Sequence, residues 1–260
     1  MSEIRSDKLT VVKVGGAILE DAISLSGFLD RFVALPGFKI LVHGGGRAAT
    51  SLAAKLGIES KMVEGRRITD AETLDIVTMV YGGLVNKNTV AALQARNCNA
   101  AGFTGADLNL VKARKRPVAE IDYGFVGDIT AVQSGAFANL LQLGITPVVA
   151  PLTHDGNGQF LNTNADTMAS AIAIAMSTLY EVTLIFCFEK PGVLLNADDD
   201  TSVIPQLSAG LYQSLKEQKI IHSGMIPKLD NSFAALQQGV KQVIITSAIT
   251  LNPETGTRIS

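Results

Sequence analysis

A three-layer α/β/α fold, with an open and mainly parallel sheet between helices, is predicted by two features of this 260-residue chain. Short β-rich segments alternate with segments of helical spacing along nearly its whole length, which is the pattern of an α/β sheet. Those β-rich segments are also apolar on both faces, as strands buried in a parallel sheet must be.

The first such segment is LTVVKV at 9–14, followed by FKILVHG at 38–44, AAGF at 100–103, TPVVAP at 146–151, TLIFCF at 183–188 and KQVIIT at 241–246, each bounded by glycine, proline or charge. Helical spacing recurs between them over 22–35, 48–56, 71–95, 134–143, 167–176, 209–217 and 231–238. Two stretches break the rhythm. Residues 108–132 carry alternating apolar positions and a turn marked by Gly124 and Gly127, predicting β-hairpins at the rim of the sheet. Residues 195–206 read as an exposed loop, with Asp198–Asp200 a solvated turn in preference to a metal site. The sequence contains no internal repeat, low-complexity segment or long linker, so its length suits one domain or two fused lobes.

Composition narrows the partners. Hydrophobic residues make up 47% of the chain, and 22 basic side chains nearly balance 24 acidic ones for a net charge of −2. That balance offers no bulk attraction to nucleic acid or an anionic membrane, leaving small molecules or locally recognised anions as the expected partners. The start MSEIRSDKLT lacks the apolar stretch of a signal peptide, and no apolar run approaches the ~18–20 residues of a membrane span, so a cytoplasmic location is expected. Cys98 and Cys187 stand far apart without neighbouring histidines and read as buried, inert thiols.

In open α/β sheets ligands bind beyond the carboxyl ends of the strands, so the residues just after each apolar run are the candidates for function. Lys13, Gly15 and Gly16 follow the first run, and Gly44, Gly45 and Gly46 follow the second and lead into a helix. Without side chains, such turns let backbone amides approach an anion, aided by the partial charge of a helix N-terminus. Neither turn matches GxxxxGK[ST] or GxGxxG, so each alone reads equally as a structural bend. Asp166 precedes a long apolar helix where a cap belongs, and Lys228 stands after a glycine turn at the start of another; taken singly, a cap and a solvated lysine suffice.

Taken together these segments are more specific. KVGG at 13–16, VHGGG at 42–46, EGRRITD at 64–70, LNTNAD at 161–166 and SGMIPK at 223–228, in that order, resemble the amino-acid kinase family and, within it, the acetylglutamate branch. The likeness extends from Val11 to GTRI at 256–259 and includes GFVGDI at 124–129. It implies phosphoryl transfer from ATP to the side-chain carboxylate of an N-acylated glutamate, giving an acyl phosphate in arginine biosynthesis. By resemblance Lys13 and Lys228 flank the phosphates and Asp166 orients both ammonium groups. Arg67 matches the residue gripping the substrate α-carboxylate, Asn162 one that hydrogen-bonds the acylated amino acid, Gly44 and Gly45 the loop receiving the acceptor carboxylate, and Gly16 a contact to the phosphates. The nucleotide is expected over Glu189, Lys190, Pro191, Gly192, Val193, Leu194, Ile220, Ile221 and His222. Mg²⁺ is expected to arrive on ATP, held chiefly by phosphate oxygens, with no protein metal ligand assigned. Since the attacking carboxylate is already ionised at neutral pH, the chemistry requires no general base, and His43, His154 and His222 need not supply one.

The resemblance also implies an acyl-glutamate-binding lobe at 1–178, a nucleotide lobe at 179–260, and a homodimer joined through the helix around 71–95. Three departures bear on this. Glu189 stands where relatives usually have aspartate. The short N-terminus leaves no room for the helix that builds hexameric relatives, so a dimer without that control is expected. Arg66 stands where many relatives carry an apolar residue, and a second guanidinium there would suit an acyl group bearing a carboxylate, such as N-succinylglutamate. A non-catalytic sensing module on the same fold is the competing reading; it would be expected to have lost one of Lys13, Asp166 and Lys228, and all three are present.

Overall fold

The computed structural model describes residues 7–63, 66–221, 225–251 and 256–260. The chain opens with β1 (Lys8–Val14), whose glycine exit leads through α1 (Gly16–Glu20) and α2 (Ala22–Ala34) to β2 (Phe38–His43). A second glycine turn starts α3 (Gly46–Lys55), and a hairpin of β3 (Met62–Val63) and β4 (Arg66–Arg67) follows. One continuous helical run comes next: α4 (Ala71–Val77), a π-helical stretch (Thr78–Val85) and α5 (Asn86–Gln94). Then come β5 (Ala100–Phe103), β6 (Val111–Lys115), β7 (Gly127–Val132), α6 (Ser134–Gln142), β8 (Thr146–Val149), β9 (Leu152–His154), β10 (Phe160–Asn162) and α7 (Ala165–Met176). The last elements are β11 (Glu181–Phe188), β12 (Gln206–Leu207), α8 (Ala209–Glu217), α9 (Ile226–Gln237), β13 (Gln242–Ser247) and β14 (Thr257–Ile259).

The central sheet has the order β12-β14-β13-β11-β1-β2-β8-β5. From β13 to β5 every pair is parallel, while β14 runs against β13 and β12 follows β14. Alternation along each strand divides the core. Leu9, Val11, Ile40 and Leu184 pack with Met168, Ala169 and Ile172 of α7 on one face, whereas Val12, Val14, Leu41 and Ile185 pack with Phe28, Leu29 and Phe32 of α2 on the other. Each strand is apolar on both sides because helices cover both.

The same period fixes Lys13. It belongs with Leu9 and Val11 on the α7 face, at the carboxyl end of β1, in register with Val42 of β2 and Phe186 of β11. Its side chain is therefore delivered to the first turn of α7.

The hairpin expected at the rim over 108–132 forms, but it does not extend the main sheet. β6 and β7 pair antiparallel inside a separate sheet of order β10-β9-β6-β7, because β9 and β10 supply the edge that β6 needs. Helix boundaries also shift: α3 starts at Gly46 rather than 48, α7 at Ala165 rather than 167, and α9 at Ile226 rather than 231, with proline in its first turn. Among the described residues no helix is long and apolar enough to cross a membrane, and both cysteines are buried and unpaired.

Candidate functional site

The two glycine turns meet at the carboxyl ends of adjacent strands. Gly44 N–H donates to Val14 O at 3.0 Å, tying the second turn to the end of β1. A Cβ at Gly16 would stand 3.7 Å from Gly45 N and 3.8 Å from Gly46 N, so those backbone amides converge on one space. Gly45 is required sterically, since a Cβ there would lie 2.6 Å from the Tyr81 ring. None of the Gly16, Gly45 and Gly46 amides donates to an acceptor among the described residues, which leaves the helix start free for an anion.

Beside this cradle Asp166 joins two lysines. The Lys13 ammonium lies 2.8 Å from Oδ1 as an ion pair, and the Lys228 ammonium donates to Oδ2 at 2.7 Å. Asn164, not Asp166, caps α7: its Oδ1 accepts from the Asp166 and Thr167 amides at 2.8 and 3.0 Å. That leaves the Asp166 carboxylate free for the lysines, with the helix N-terminus adding to its stabilisation. Burial pushes the Asp166 pKa upward, but the Lys13 and Lys228 charges outweigh it and hold the group ionised down to about 2. With two cations on one anion, the cluster keeps a net positive charge.

A cleft of about 210 Å³ opens on the other side of the glycine triplet, lined by Gly44, Gly45, Gly46, Arg66, Arg67 and Asn162 among others. Arg67 is buried, donating to Ser60 Oγ at 2.7 Å and to Gly46 O and Thr50 Oγ1, both at 2.8 Å. It has no carboxylate partner among the described residues, so its charge is held in place by neutral acceptors. Asn162 is buried too, its Nδ2 donating to Thr69 Oγ1 at 3.0 Å. Arg66 is exposed at the cleft and carries no ion pair among the described residues.

A second cavity, of about 560 Å³, is lined by Lys13, Gly16, Arg47, Glu189, Lys190 and Lys228, and Gly46 borders both spaces. Glu189 meets Arg47 across it at 3.2 Å. Gly192, Val193, Leu194, Ile220 and Ile221 line an adjoining apolar recess of about 150 Å³ with Phe188 and Met225. Pro191 lines neither space, and His222 lies outside the described residues. The acidic loop behaves as a solvated turn, with Asp200 paired to Lys190 at 2.8 Å. The lysine-lined cavity thus lies between a guanidinium-lined cleft and an apolar recess.

Sequence reasoning missed Tyr81, Arg116 and Arg47. Arg116 lines the first cleft while pairing with Asp128 at 2.6 Å, yet it sits in the run KARKR, which reads as a solvated face. Tyr81 reaches Gly45 from the π-helical stretch, whose apolar spacing looks like ordinary helix.

His43, the last residue of β2, is fully buried, and burial lowers its pKa from 6.5 to about 4. An unfolded chain would bind a proton there near pH 6.5 while the native chain waits until about 4. The His43 contribution to stability is therefore complete above pH 6.5 and disappears as pH falls to 4, a loss on the order of 3 kcal/mol. Denaturant unfolding at pH 7.5 and 4.5 should show this loss in the wild type and a smaller one in His43→Asn.

An open α/β sheet with paired glycine turns brings a Lys–Asp–Lys cluster and a guanidinium-lined cleft together at the carboxyl ends of β1 and β2. The chain belongs to the amino acid kinase family, whose sequence model matches residues 8–247. It is 57% identical to the acetylglutamate kinase of Bacteroides fragilis over 259 residues, covering 100% of this chain and 99% of that protein. It is 59% identical to the acetylglutamate kinase of Parabacteroides distasonis over 97% of this chain and 99% of that one. The solved structure of smu.665 from Streptococcus mutans UA159 superposes with a TM-score of 0.79 at 26% identity, covering 97% of this chain and 98% of that one.

Proposed function

We propose that this chain transfers the γ-phosphoryl group of ATP to the side-chain carboxylate of N-acetyl-L-glutamate, forming N-acetyl-L-glutamyl 5-phosphate in arginine biosynthesis. One observation carries the reading: Lys13 and Lys228, joined through Asp166, face the cavity containing Gly16 and Glu189, and Gly46 borders both that cavity and the cleft containing Arg67 and Asn162. In the reaction a carboxylate oxygen attacks the γ-phosphorus as the bond to the β-bridging oxygen breaks, and ADP leaves. The carboxylate is ionised at neutral pH, so no base is needed. The protein's work is to hold the reactants in line and neutralise charge.

In this proposal Lys13 and Lys228 stabilise the transferring group, and Asp166 aims them. Gly44 and Gly45 receive the acceptor carboxylate, Gly16 approaches the phosphates, Arg67 grips the α-carboxylate and Asn162 holds the acylated amino acid. Glu189, Lys190, Gly192, Val193, Leu194, Ile220 and Ile221 border the nucleotide, with Pro191 shaping their turn. Mg²⁺ is proposed to arrive on the phosphates and to offset their charge. The lobes are proposed to divide between 178 and 179, across one continuous sheet, since β1 pairs directly with β11. A cytoplasmic homodimer is proposed through the helical run from α4 to α5, where Met79 and Leu84 are 54% and 57% exposed.

Replacing Arg67 by lysine should raise KM for the acyl-glutamate about 10–100-fold, with KM for ATP nearly unchanged, because a planar bidentate donor is lost from one charged partner. Steady-state kinetics with each substrate varied in turn would check this. ADP release across a panel of acyl-glutamates tests the function itself. It is refuted if no N-acylated glutamate supports turnover.

N-succinyl-L-glutamate is a second reading, favoured by the Arg66 guanidinium, which has no ion pair among the described residues and lines the cleft with Arg116. Preference for the succinyl compound, lost in Arg66→Leu, would support it. Equal or poorer use of that compound, indifferent to Arg66→Leu, rules it out.

A further inference from the structure

The helical run after Asp70 contains eight residues of π-helix, a rare form that concentrates at functional sites. At its C-terminal end, Asn86 reaches the sheet. Asn86 Nδ2 lies 3.0 Å from His43 Nε2 and donates to Val148 O, also at 3.0 Å. On the other side of the imidazole, His43 Nδ1 lies 2.7 Å from Gly44 O.

The proton positions follow from chemistry. A carbonyl only accepts, so Nδ1 carries the hydrogen; a neutral ring then has Nε2 as its acceptor, matched to the Asn86 amide. Both neighbours of Nδ2 are acceptors, so turning the Asn86 amide would break both bonds. The arrangement costs something. Asn86 Oδ1 is buried with no hydrogen-bond partner among the described residues, a penalty of about 1–3 kcal/mol, and it fills the space where a Cβ at Gly102 would stand.

What this network holds is the pair of peptide planes on either side of the Gly44 Cα, His43–Gly44 through its N–H and Gly44–Gly45 through its carbonyl. Gly44 N–H is tied to Val14 O and Gly44 O to the imidazole. In a trans peptide the carbonyl and the following N–H point in opposite directions. Fixing Gly44 O on the core side therefore aims the Gly45 amide, which has no acceptor among the described residues, away from the imidazole, at a residue that lines the cleft.

We propose that His43, set by Asn86, is a positioning residue that locks the Gly44–Gly45 peptide so that the Gly45 amide is presented to the acceptor carboxylate. This rests on the kinase reading above, and the two are tested separately. Turnover of N-acetyl-L-glutamate by the wild type tests the reading. The positioning role is tested by His43→Asn, which keeps a donor near the Nδ1 position, against His43→Gln and His43→Leu, which do not. Gln and Leu should lower kcat about 10–100-fold with KM for ATP within about threefold, and Asn should recover about tenfold over Leu. Asn no better than Leu in folded protein, or Gln and Leu as active as wild type, overturns the proposal. Nitrogen NMR of ¹⁵N-histidine-labelled wild type is independent of variant folding. A neutral His43 protonated on Nδ1 is expected at pH 7, and protonation on Nε2 overturns the proposal.

Discussion

Replacing Lys228 with alanine is expected to lower kcat about 10²–10³-fold while leaving Tm close to wild type. The two halves of that result have different origins. Loss of one preorganised cation facing developing charge removes transition-state stabilisation of that size. Stability should survive because Asp166 keeps its ion pair with Lys13 at 2.8 Å; the truncation removes the surplus cation and leaves a neutral pair. Stopped-assay kinetics and a thermal melt on the same preparation would check both. A collapse in Tm together with activity would mean that Lys228 is chiefly structural.

Asp166→Ala should behave in the opposite manner. The side chain is only 10% exposed and both lysines lose their shared partner, at side-chain exposures of 11% and 24%. Removing one member of a buried charge cluster leaves uncompensated charge, at a cost of about 3–5 kcal/mol, so Tm should fall by on the order of 10 °C. Turnover falls too, because the two ammonium groups repel and lose their aim. The pH dependence has the corresponding sign: with its pKa depressed from 3.8 to about 2, Asp166 stabilises the fold fully above pH 4 and ceases to do so as pH falls toward 2. Acid unfolding of Asp166→Ala should lack that component.

Much of this cluster is legible in the amino-acid sequence. Two-residue alternation along LTVVKV assigns Lys13 to one face, and the break between LNTNAD and its apolar helix marks where Asp166 lies. What connects them, the packing of α7 on β1 and of α9 on α7, depends on topology that local patterns do not encode. The cap illustrates the limit. Asn164 and Asp166 are both plausible cap residues, and only the observed bonds from the Asp166 and Thr167 amides to Asn164 settle which carboxamide or carboxylate is used. Tyr81 and Asn86 were illegible for another reason. A π-helical stretch carries the apolar spacing of an α-helix, yet its extra residue per turn changes which side chains face the glycine loop. Arg116 was hidden inside a charged run, and the four-stranded sheet draws β9 and β10 from 152–162, whose DGNG turn at 155–158 is a hairpin signal that the reading of strands and helices passed over.

Phosphoryl transfer between the two spaces flanking Gly46 is the central claim. Incubation of the protein with N-acetyl-L-glutamate, ATP and Mg²⁺ in the presence of hydroxylamine tests it most directly, because hydroxylamine converts an acyl phosphate into a stable hydroxamate and free phosphate. Hydroxamate should form in step with ADP in the wild type and fall to background in Lys228→Ala. ADP release without hydroxamate, or hydroxamate formation undiminished in Lys228→Ala, would contradict it.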